Sequence, residues 1–372
     1  MDHSNRRKGC TGAAKFERAS TGFYDQPSVP VNAPITILGA GSWGTALAVH
    51  WARAGRDVTL WTRRPAAAAS MRHTRHNPRY LPDVALPAGV TVTSSLASAA
   101  EASSLWALAV PSQAMRALVR QLIPFLHPAV HLVSLAKGIE NGTLCTMSQV
   151  IADVLGPAVD HRVSVCYGPS HAEEVALDQP TAVVVAAPHL DTAETIQARF
   201  MTDRLRVYVN TDVMGVEVGG SAKNVLAIAA GISDGVGYGD NAKAALVTRG
   251  LAEIKRLGLA LGAKPATFAG LTGIGDLVVT CMSAHSRNRH LGEQIGRGHA
   301  LASIVDRMDM VAEGVQTTVS LRDLAARHGI EMPITAAVYA VLFEGQAPEA
   351  MVDALMTRDA KRENWRPELL ES

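Results

Sequence analysis

The chain has 372 residues, of which 48% are hydrophobic, and its formal charge at neutral pH is +1. A chain of this size can bury a large core and divide into two domains, whereas its balanced charge argues against nucleic acid as the main partner. The four cysteines are scattered without a Cys-x-x-Cys pair, so we expect neither a disulfide framework nor a metal site, and the apolar runs are far shorter than the roughly 20 residues of a membrane span.

The N-terminal residues 1–33 are polar and mixed in charge, with prolines before the first apolar run. They lack the apolar stretch of a secretory signal, and their acidic residues are unusual for an organelle transit peptide. We therefore expect a disordered extension over residues 1–33 and a reducing, cytoplasmic setting for the chain.

A glycine-rich turn follows the first apolar run. The run that starts at Ile35 leads directly into Gly39-x-Gly41-x-x-Gly44, and a helix-like segment comes next. This is the arrangement that a dinucleotide requires, because the glycines permit a tight turn and close approach of the backbone to the pyrophosphate, which the helix N-terminus then faces. A second strand candidate begins at Asp57, which favours the first βαβ unit of a Rossmann-like domain.

The end of this second strand carries two arginines, Arg63 and Arg64. An NAD-selective site usually has an Asp or Glu there, which binds the ribose 2′-hydroxyl. Without an acid to repel it, a 2′-phosphate can be held by one or both guanidinium groups. The sequence therefore predicts that NADP(H) is the preferred cofactor and that NAD(H) is a second option.

Strand and helix candidates alternate over residues 34–210. Because several strands are continuous apolar runs, we expect an α/β fold here, a Rossmann-like doubly wound domain whose parallel sheet is covered on both faces. Ligands bind beyond the carboxyl ends of such strands, where Ser112 and Lys137 lie. Ser112 and the preceding proline suit a helix cap as well as a cofactor contact. The position of Lys137, directly after a buried strand, favours a ligand contact. The strand candidates are residues 35–39, 57–61, 90–93, 105–110, 130–135, 163–167, 181–187 and 205–209.

The alternation ends after residue 210, and residues 211–372 are predicted to form an all-α substrate-binding domain. The first helix candidate is apolar on most sides, as in a buried helix, and it carries Lys223 and Asn224 in its middle. The helix candidates are residues 211–233, 242–261, 289–297, 315–328 and 334–343.

Lys223 and Asp276 are candidates for proton transfer. Burial lowers the pKa of a lysine toward neutrality, where it acts well as a general acid and base, although a lysine at a helix edge also reaches solvent. Asp276 follows Gly273-Ile274-Gly275, in a glycine-hinged loop. Its carboxylate can orient a lysine or a substrate hydroxyl, or serve as a turn residue or a helix N-cap.

A cluster of hydrogen-bond donors begins at Ser286 and continues through Arg287, Asn288 and Arg289. Hydroxyl, amide and guanidinium groups at the start of a helix suit a phosphate dianion. A solvated, arginine-rich helix start is the alternative.

The chain resembles the bacterial-type NAD(P)-dependent glycerol-3-phosphate dehydrogenases from about residue 34 to residue 345. The resemblance rests on eight motifs in the order of the family. They are GAGSWG at 39–44, NPRYLP at 77–82, AKG at 136–138, GPSHAEE at 168–174, GGSAKN at 219–224, GIGDL at 273–277, SRNR at 286–289 and VAEG at 311–314. Tyr167 departs from the pattern, since a smaller residue more usually precedes the fourth motif.

The resemblance implies reversible hydride transfer between a nicotinamide cofactor and dihydroxyacetone phosphate, without a metal, giving sn-glycerol 3-phosphate for glycerophospholipids. It makes Lys223 the proton donor and acceptor. It implies substrate contacts from Lys137, Gly168, Ser170, Lys223, Asp276, Ser286, Arg287 and Asn288. It implies cofactor contacts from Gly39, Gly41, Ser42, Trp43, Gly44, Arg63, Arg64, Lys137, Ala172, Arg287, Val311 and Glu313.

Two other classes share part of this pattern. Related Rossmann enzymes that act on 3-hydroxy acids or 6-phosphogluconate also carry a lysine on a buried helix, and the cluster that begins at Ser286 does most to distinguish them. A non-enzymatic NADP(H) sensor would keep the glycines but has no use for Lys137, Lys223 and Asp276 together. We expect a small-molecule substrate, no nucleic acid and no membrane span as partners, and a homodimer is compatible with the sequence.

Overall fold

The computed structural model describes residues 33–308 and 312–360. The expected disordered extension, residues 1–33, lies outside the described residues except for Ala33. In the described part, no helix combines the length and the apolarity that crossing a membrane requires.

The described ranges contain ten strands. They are β1 (Ile35–Leu38), β2 (Val58–Trp61), β3 (His76–Asn77), β4 (Leu81–Ala85), β5 (Val90–Thr93), β6 (Leu105–Leu108), β7 (His131–Ser134), β8 (Val163–Tyr167), β9 (Thr181–Ala186) and β10 (Leu205–Asn210). Eight of them form one sheet in the order β10-β9-β8-β7-β6-β1-β2-β5, and β3 pairs with β4 separately. The eight predicted strands are the strands of the large sheet, each within two residues of its predicted bounds.

The strands β1, β6 and β8 of this sheet are buried on both faces, whereas the edge strands β5 and β10 expose alternate residues. Along β6, Leu105 and Ala107 contribute to one apolar cluster and Trp106 and Leu108 to another. Successive side chains of a strand point to opposite faces, so a strand with helices on both sides must be apolar throughout. This explains why continuous runs predicted the strands so closely.

The expectation of a parallel sheet is wrong at one position, because β8 pairs with β9 in the antiparallel direction. The other neighbouring strands of the large sheet are parallel. A parallel return requires a crossover that runs back along the sheet, usually as a helix, and the helix between β8 and β9 has only five residues. The sequence did not predict the β3–β4 hairpin either, because β3 has only two residues.

Seven helices accompany the large sheet: α1 (Ser42–Arg53), α2 (Pro65–Thr74), α3 (Leu96–Glu101), α4 (Met115–Leu122), α5 (Met147–Leu155), α6 (Ala172–Ala176) and α7 (Leu190–Phe200). The described chain after β10 is helical: α8 (Val213–Val236), α9 (Asp240–Ala260), α10 (Asp276–Met282), α11 (Arg287–Gly296), α12 (Leu301–Arg307), α13 (Glu313–Arg327), α14 (Pro333–Phe343) and α15 (Pro348–Met356). The five predicted helices correspond to α8, α9, α11, α13 and α14. Helices α10, α12 and α15 have no more than nine residues, too few for a clear helical period.

Helix α8 is the centre of the helical region. All of its residues from Gly215 to Ser233 are buried, as expected for a helix that is apolar on most sides. The side chain of Asp212 caps its first turn by accepting a hydrogen bond from the Gly215 amide at 2.9 Å. Gly237 ends it in the left-handed region, with φ of 95°, a conformation that favours glycine.

Helices α8 and α11 pack through glycines on both sides. A Cβ atom added at Gly231 would lie 1.9 Å from the Arg289 carbonyl oxygen, and one at Gly292 would lie 2.1 Å from the Ile228 carbonyl oxygen. Gly235 and Gly296 make equally close approaches one turn later. The two backbones therefore touch, and the first turn of α11 is held beside the middle of α8.

This packing predicts that Gly231→Ala destabilises the protein, although alanine is the better helix former by about 1 kcal/mol. The added methyl group meets backbone, which cannot rotate away, so we expect a loss of about 1 to 3 kcal/mol in the free energy of unfolding, measured by chemical denaturation. Gly239→Ala is the control, because a Cβ atom there would have no neighbour within 4 Å. A Gly231→Ala variant as stable as the control would contradict the proposed contact.

Candidate active site

The glycine-rich turn has the shape that a dinucleotide requires. Gly39 has φ of 129°, and a Cβ atom there would lie 2.4 Å from the Ala109 carbonyl oxygen, while one at Gly44 would lie 2.0 Å from the Gly39 carbonyl oxygen. Gly41 faces open space instead, with nothing within 4 Å of a Cβ atom. Among the described residues, no side chain caps α1 at Gly41. The turn therefore fits a pyrophosphate at the N-terminus of α1.

The β3–β4 hairpin holds this turn in place. The buried Asn77 amide donates to the Ala40 carbonyl oxygen at 3.0 Å and to Thr45 Oγ1 at 2.8 Å. The Ser42 hydroxyl donates to the Tyr80 carbonyl oxygen at 3.0 Å. The NPRYLP motif thus supports the dinucleotide turn from outside the Rossmann-like sheet.

Three arginines surround the region beside β2. Arg63 and Arg64 follow β2 and are exposed. The guanidinium carbon of Arg64 lies 5.8 Å from the centre of the Tyr80 ring, and that of Arg79 lies 5.4 Å from the same centre. Tyr80 therefore has cation–π contacts with two arginines. Sequence reasoning missed Tyr80 as a cofactor-site candidate, because only the unpredicted hairpin brings it beside Arg64.

Two lysines from distant parts of the chain meet one buried carboxylate. Lys223 of α8 donates to Asp276 Oδ1 and, at 2.7 Å, to Thr280 Oγ1. Lys137, which follows β7, donates to Asp276 Oδ2 at 2.8 Å and to the Gly168 carbonyl oxygen at 2.8 Å. Each carboxylate oxygen of Asp276 thus binds one ammonium group. Asp276 itself is fully buried.

This environment suits Lys223 to proton transfer. Burial lowers the pKa of Lys223 to about 7, and the charge of Lys137 acts in the same direction, while Asp276 opposes the shift. Both the ammonium and the amine forms are then accessible near neutral pH, where proton transfer is efficient. The Lys223 side chain is only 7% exposed, which excludes the alternative of a lysine that reaches solvent.

The expected position of Asp276 in a loop is wrong. Asp276 is the first residue of α10, and a π-helical turn, Leu271–Gly275, precedes it. Gly275 occupies the N-cap position, and the Asp276 carboxylate binds the two lysines rather than a helix terminus. The seven-residue α10 is too short to recognise from its period. Single π-helical turns occur often at functional sites.

The four residues of the cluster at the start of α11 have different surroundings. Ser286 is the N-cap, and its hydroxyl accepts from the Arg289 amide at 3.2 Å. Asn288 is buried and donates to Asn224 Oδ1 at 3.1 Å, and Arg289 forms an ion pair with Asp234 at 2.7 Å. Arg287 is exposed. The structure thus separates Arg287 from three neighbours that fix the helix start.

Glu313 joins the two regions of the chain at the start of α13. It accepts from the Ser112 amide at 3.3 Å and from the Ser112 hydroxyl at 2.5 Å. Burial raises the pKa of Glu313, and the hydrogen bonds from Ser112 oppose this, as does, more weakly, the charge of Arg287. Ser112 thereby binds a carboxylate of the helical region at the carboxyl end of β6.

The remaining predicted site residues lie around these groups. Ser170 donates to the Gly168 carbonyl oxygen at 2.9 Å, the same oxygen that Lys137 binds. Ala172 is buried at the start of α6, and Trp43 is half-buried against one face of the sheet. Val311 lies outside the described residues. Within the described ranges, no group of three or more His, Cys, Asp or Glu residues could hold a metal ion.

Comparisons with known proteins agree with this architecture. The N-terminal family model of NAD-dependent glycerol-3-phosphate dehydrogenase matches residues 34–193, and the C-terminal model matches residues 212–353. The chain is 68% identical over 334 residues to glycerol-3-phosphate dehydrogenase NAD(P)+ 2 of Salinibacter ruber, covering 90% of this chain and 97% of that protein. The chain belongs to the NAD-dependent glycerol-3-phosphate dehydrogenase family.

Other members of the glycerol-3-phosphate dehydrogenase family are also similar. The chain is 52% identical to glycerol-3-phosphate dehydrogenase NAD(P)+ of Chlorobium phaeobacteroides, over 88% of this chain and 98% of that protein. The fold is also similar to the crystal structure of glycerol-3-phosphate dehydrogenase from Coxiella burnetii, with a TM-score of 0.84. The two sequences are 39% identical, and the match covers 88% of this chain and 100% of that chain.

Tyr167 has a clear place in this member of the glycerol-3-phosphate dehydrogenase family. Its buried hydroxyl donates to the carbonyl oxygen of Ala136, next to Lys137. Its ring fills the space beside Gly220 of α8, where an added Cβ atom would lie 2.6 Å from the ring. The large side chain is accommodated because α8 has a glycine opposite it, so Tyr167 connects the elements that carry Lys137 and Lys223.

Proposed function

We propose that this protein reduces dihydroxyacetone phosphate to sn-glycerol 3-phosphate with NAD(P)H and catalyses the reverse reaction. The observation that carries the proposal is the pairing of Lys223 and Lys137 on the buried carboxylate of Asp276. This group lies beyond the carboxyl end of the sheet, where a Rossmann-like domain binds its ligands. Membership of the family supports the choice of substrate.

The chain's own residues take separate roles in this proposal. Lys223 donates a proton to the carbonyl oxygen in reduction and accepts one in oxidation, while Asp276 orients both lysines and Lys137 polarises the substrate. Arg287 holds the phosphate, and Ser286 and Asn288 set its position, with Gly168 and Ser170 beside the substrate. When bound, the nicotinamide cofactor supplies or accepts the hydride. Its contacts are assigned to Gly39, Gly41, Ser42, Trp43, Gly44, Arg63, Arg64, Lys137, Ala172, Arg287, Val311 and Glu313.

Absorbance of NADPH tests the function as a whole. We expect rapid oxidation of NADPH with dihydroxyacetone phosphate and little with unphosphorylated dihydroxyacetone or 3-keto acids, because these lack the phosphate that Arg287 binds. In the reverse direction, 3-hydroxy acids should give little reduction of NADP+ for the same reason. A protein that bound NADPH but turned over none of these compounds would be a sensor. Turnover of 6-phosphogluconate with NADP+ in place of glycerol 3-phosphate would also contradict the proposal.

The cofactor proposal is that NADPH is preferred over NADH. Arg63 and Arg64 are exposed where the 2′-phosphate would lie, and Tyr80 orients Arg64. Replacing Arg63 and Arg64 together with Ala is expected to raise KM for NADPH by about 10- to 100-fold, the effect of losing charge-assisted hydrogen bonds.

The same double variant should change KM for NADH by less than about threefold, because NADH has no 2′-phosphate for these arginines to bind. Arg120→Ala, which removes an exposed arginine of α4, is the control for loss of surface charge. An equal rise of KM for NADPH and for NADH would contradict the proposed preference.

We further propose that the enzyme works in the cytoplasm and supplies the glycerol backbone of phospholipids. The test in cells is complementation of a bacterial strain that requires added glycerol 3-phosphate. Failure to restore growth while activity is present in the extract would contradict the biosynthetic role.

A further inference from the structure

His171 is a titratable residue among the site residues that the proposed chemistry does not use. It lies between Ser170 and Ala172, in the segment that leads from β8 into α6. Its ring lies 5.8 Å from the ring of His285, which precedes Ser286. The segment after β8 and the start of α11 thus approach each other at these two rings.

The chain neighbour of His171 places this segment beside the candidate site, because Ser170 donates to the Gly168 carbonyl oxygen that Lys137 also binds. Burial lowers the pKa of His171, and the positive charge of Lys223 is the next largest cause, with Lys137 acting in the same direction. The carboxylates of Glu174 and Glu173 oppose the shift. Burial and these two positive charges both favour the neutral form of the ring.

The Nε2 atom of His171 is buried and has no hydrogen-bond partner among the described residues. The ring does not cap α6 either, although His171 occupies the N-cap position. His50 shows the contrast, because its Nδ1 pairs with Asp178 Oδ1 at 3.0 Å and its Nε2 with Thr202 Oγ1 at 2.7 Å. A buried polar atom without a partner costs about 1 to 3 kcal/mol, so a bound ligand is the natural source of a partner for His171.

The chemistry of the ring defines the ligand group. A neutral imidazole nitrogen exchanges one hydrogen bond with a hydroxyl, as donor or as acceptor, whereas a phosphate dianion is bound better by a guanidinium group such as that of Arg287. Dihydroxyacetone phosphate carries one free hydroxyl, on the carbon next to the carbonyl and opposite the phosphate.

We propose that His171 binds the free hydroxyl of the substrate and thereby selects hydroxymethyl ketones over methyl ketones. This inference rests on the proposed function. In this arrangement Arg287 binds the phosphate, Lys223 the carbonyl oxygen and His171 the free hydroxyl. Each of the three functional groups of the substrate then has its own partner.

The test compares dihydroxyacetone phosphate with hydroxyacetone phosphate, which has a methyl group in place of the free hydroxymethyl group. We expect His171→Phe to lower kcat/KM for dihydroxyacetone phosphate by about 10- to 100-fold, while kcat/KM for hydroxyacetone phosphate changes by less than about threefold. His171→Gln, which restores a hydrogen-bonding side chain, should recover part of the loss. His285→Phe is the matched control, because it replaces the neighbouring exposed ring and leaves His171 in place.

The outcomes separate this inference from the proposed function. Equal losses on both substrates in His171→Phe, with a wild-type Tm, would make His171 a packing residue and overturn the inference. If His171→Phe does not fold, the comparison of the two substrates in His171→Leu, a smaller side chain that also lacks a hydrogen-bonding group, decides in the same way. Wild-type protein that bound NADPH but reduced neither ketone would overturn the proposed function, and this inference with it.

Discussion

Lys223→Met is expected to lower kcat for dihydroxyacetone phosphate by about 10² to 10⁴. Reduction places negative charge on the carbonyl oxygen, and the ammonium group of Lys223 is the buried donor that Asp276 and Thr280 orient. Methionine has a similar volume and suits a helix, so α8 should keep its packing. NADPH binding, measured by fluorescence titration on the same preparation, should stay close to wild type.

Lys255→Met is the control, because Lys255 is an exposed lysine of α9. It should leave both kcat and NADPH binding unchanged. If Lys223→Met kept kcat within about threefold of wild type, Lys223 would be a structural lysine and Lys137 the next candidate for the acid.

The pH dependence of initial rates gives a second check on the same residue. The pKa of Lys223 is lowered to about 7, so the ammonium form needed for reduction is present below that pH and is lost as pH rises through it. Reduction should therefore slow above neutral pH. Oxidation of glycerol 3-phosphate needs the amine form and should accelerate over the same interval. In Lys223→Met, the rates of reduction and oxidation should no longer change in opposite directions as pH rises through about 7.

Arg287→Ala is expected to lower kcat/KM for dihydroxyacetone phosphate roughly 30- to 900-fold. This corresponds to a loss of about 2 to 4 kcal/mol of transition-state stabilisation. Arg287 is the exposed guanidinium of its cluster, and a bidentate, charge-assisted contact to phosphate is lost with it. Arg287→Lys should be intermediate, because it keeps the charge but not the planar pair of donors.

The matched substrate is unphosphorylated dihydroxyacetone, which should be nearly as poor for wild type as dihydroxyacetone phosphate is for Arg287→Ala. Arg297→Ala is the matched control, since Arg297 is exposed at the other end of α11 and pairs with Glu293. Normal turnover of the phosphorylated substrate by Arg287→Ala would show that this helix start is merely solvated.

Most of the fold could be predicted because its signals are local. The strands are recognisable as apolar runs, and α8 as a long apolar helix. The direction of β9 relative to β8 could not be predicted, because an apolar run has the same pattern in a parallel and in an antiparallel strand. The small elements β3, α10, α12 and α15 are too short to show a helix or strand period, and for this reason the sequence predicts a loop at Asp276.

The candidate site was only partly predictable from the residues themselves. Lys137 could be singled out because it directly follows an apolar strand, and Lys223 because it lies in the middle of an apolar helix. Their convergence on Asp276 joins positions that are far apart in the chain, and no local pattern carries that information. The contacts of Tyr80 and His171 depend on a hairpin and on a close approach of two loops, so only the three-dimensional structure reveals them.

The glycines between α8 and α11 restrict how the substrate range of this enzyme can be altered. Gly231, Gly235, Gly292 and Gly296 bring two backbones into contact, and glycine has no side chain that can be trimmed to bring them closer. This packing therefore fixes the distance from Lys223 to the start of α11, and with it the length of substrate that the proposed contacts of Lys223 and Arg287 can span. Laboratory evolution toward longer phosphorylated ketones should change the side chains that line the site, and we expect no accepted exchanges at these four positions.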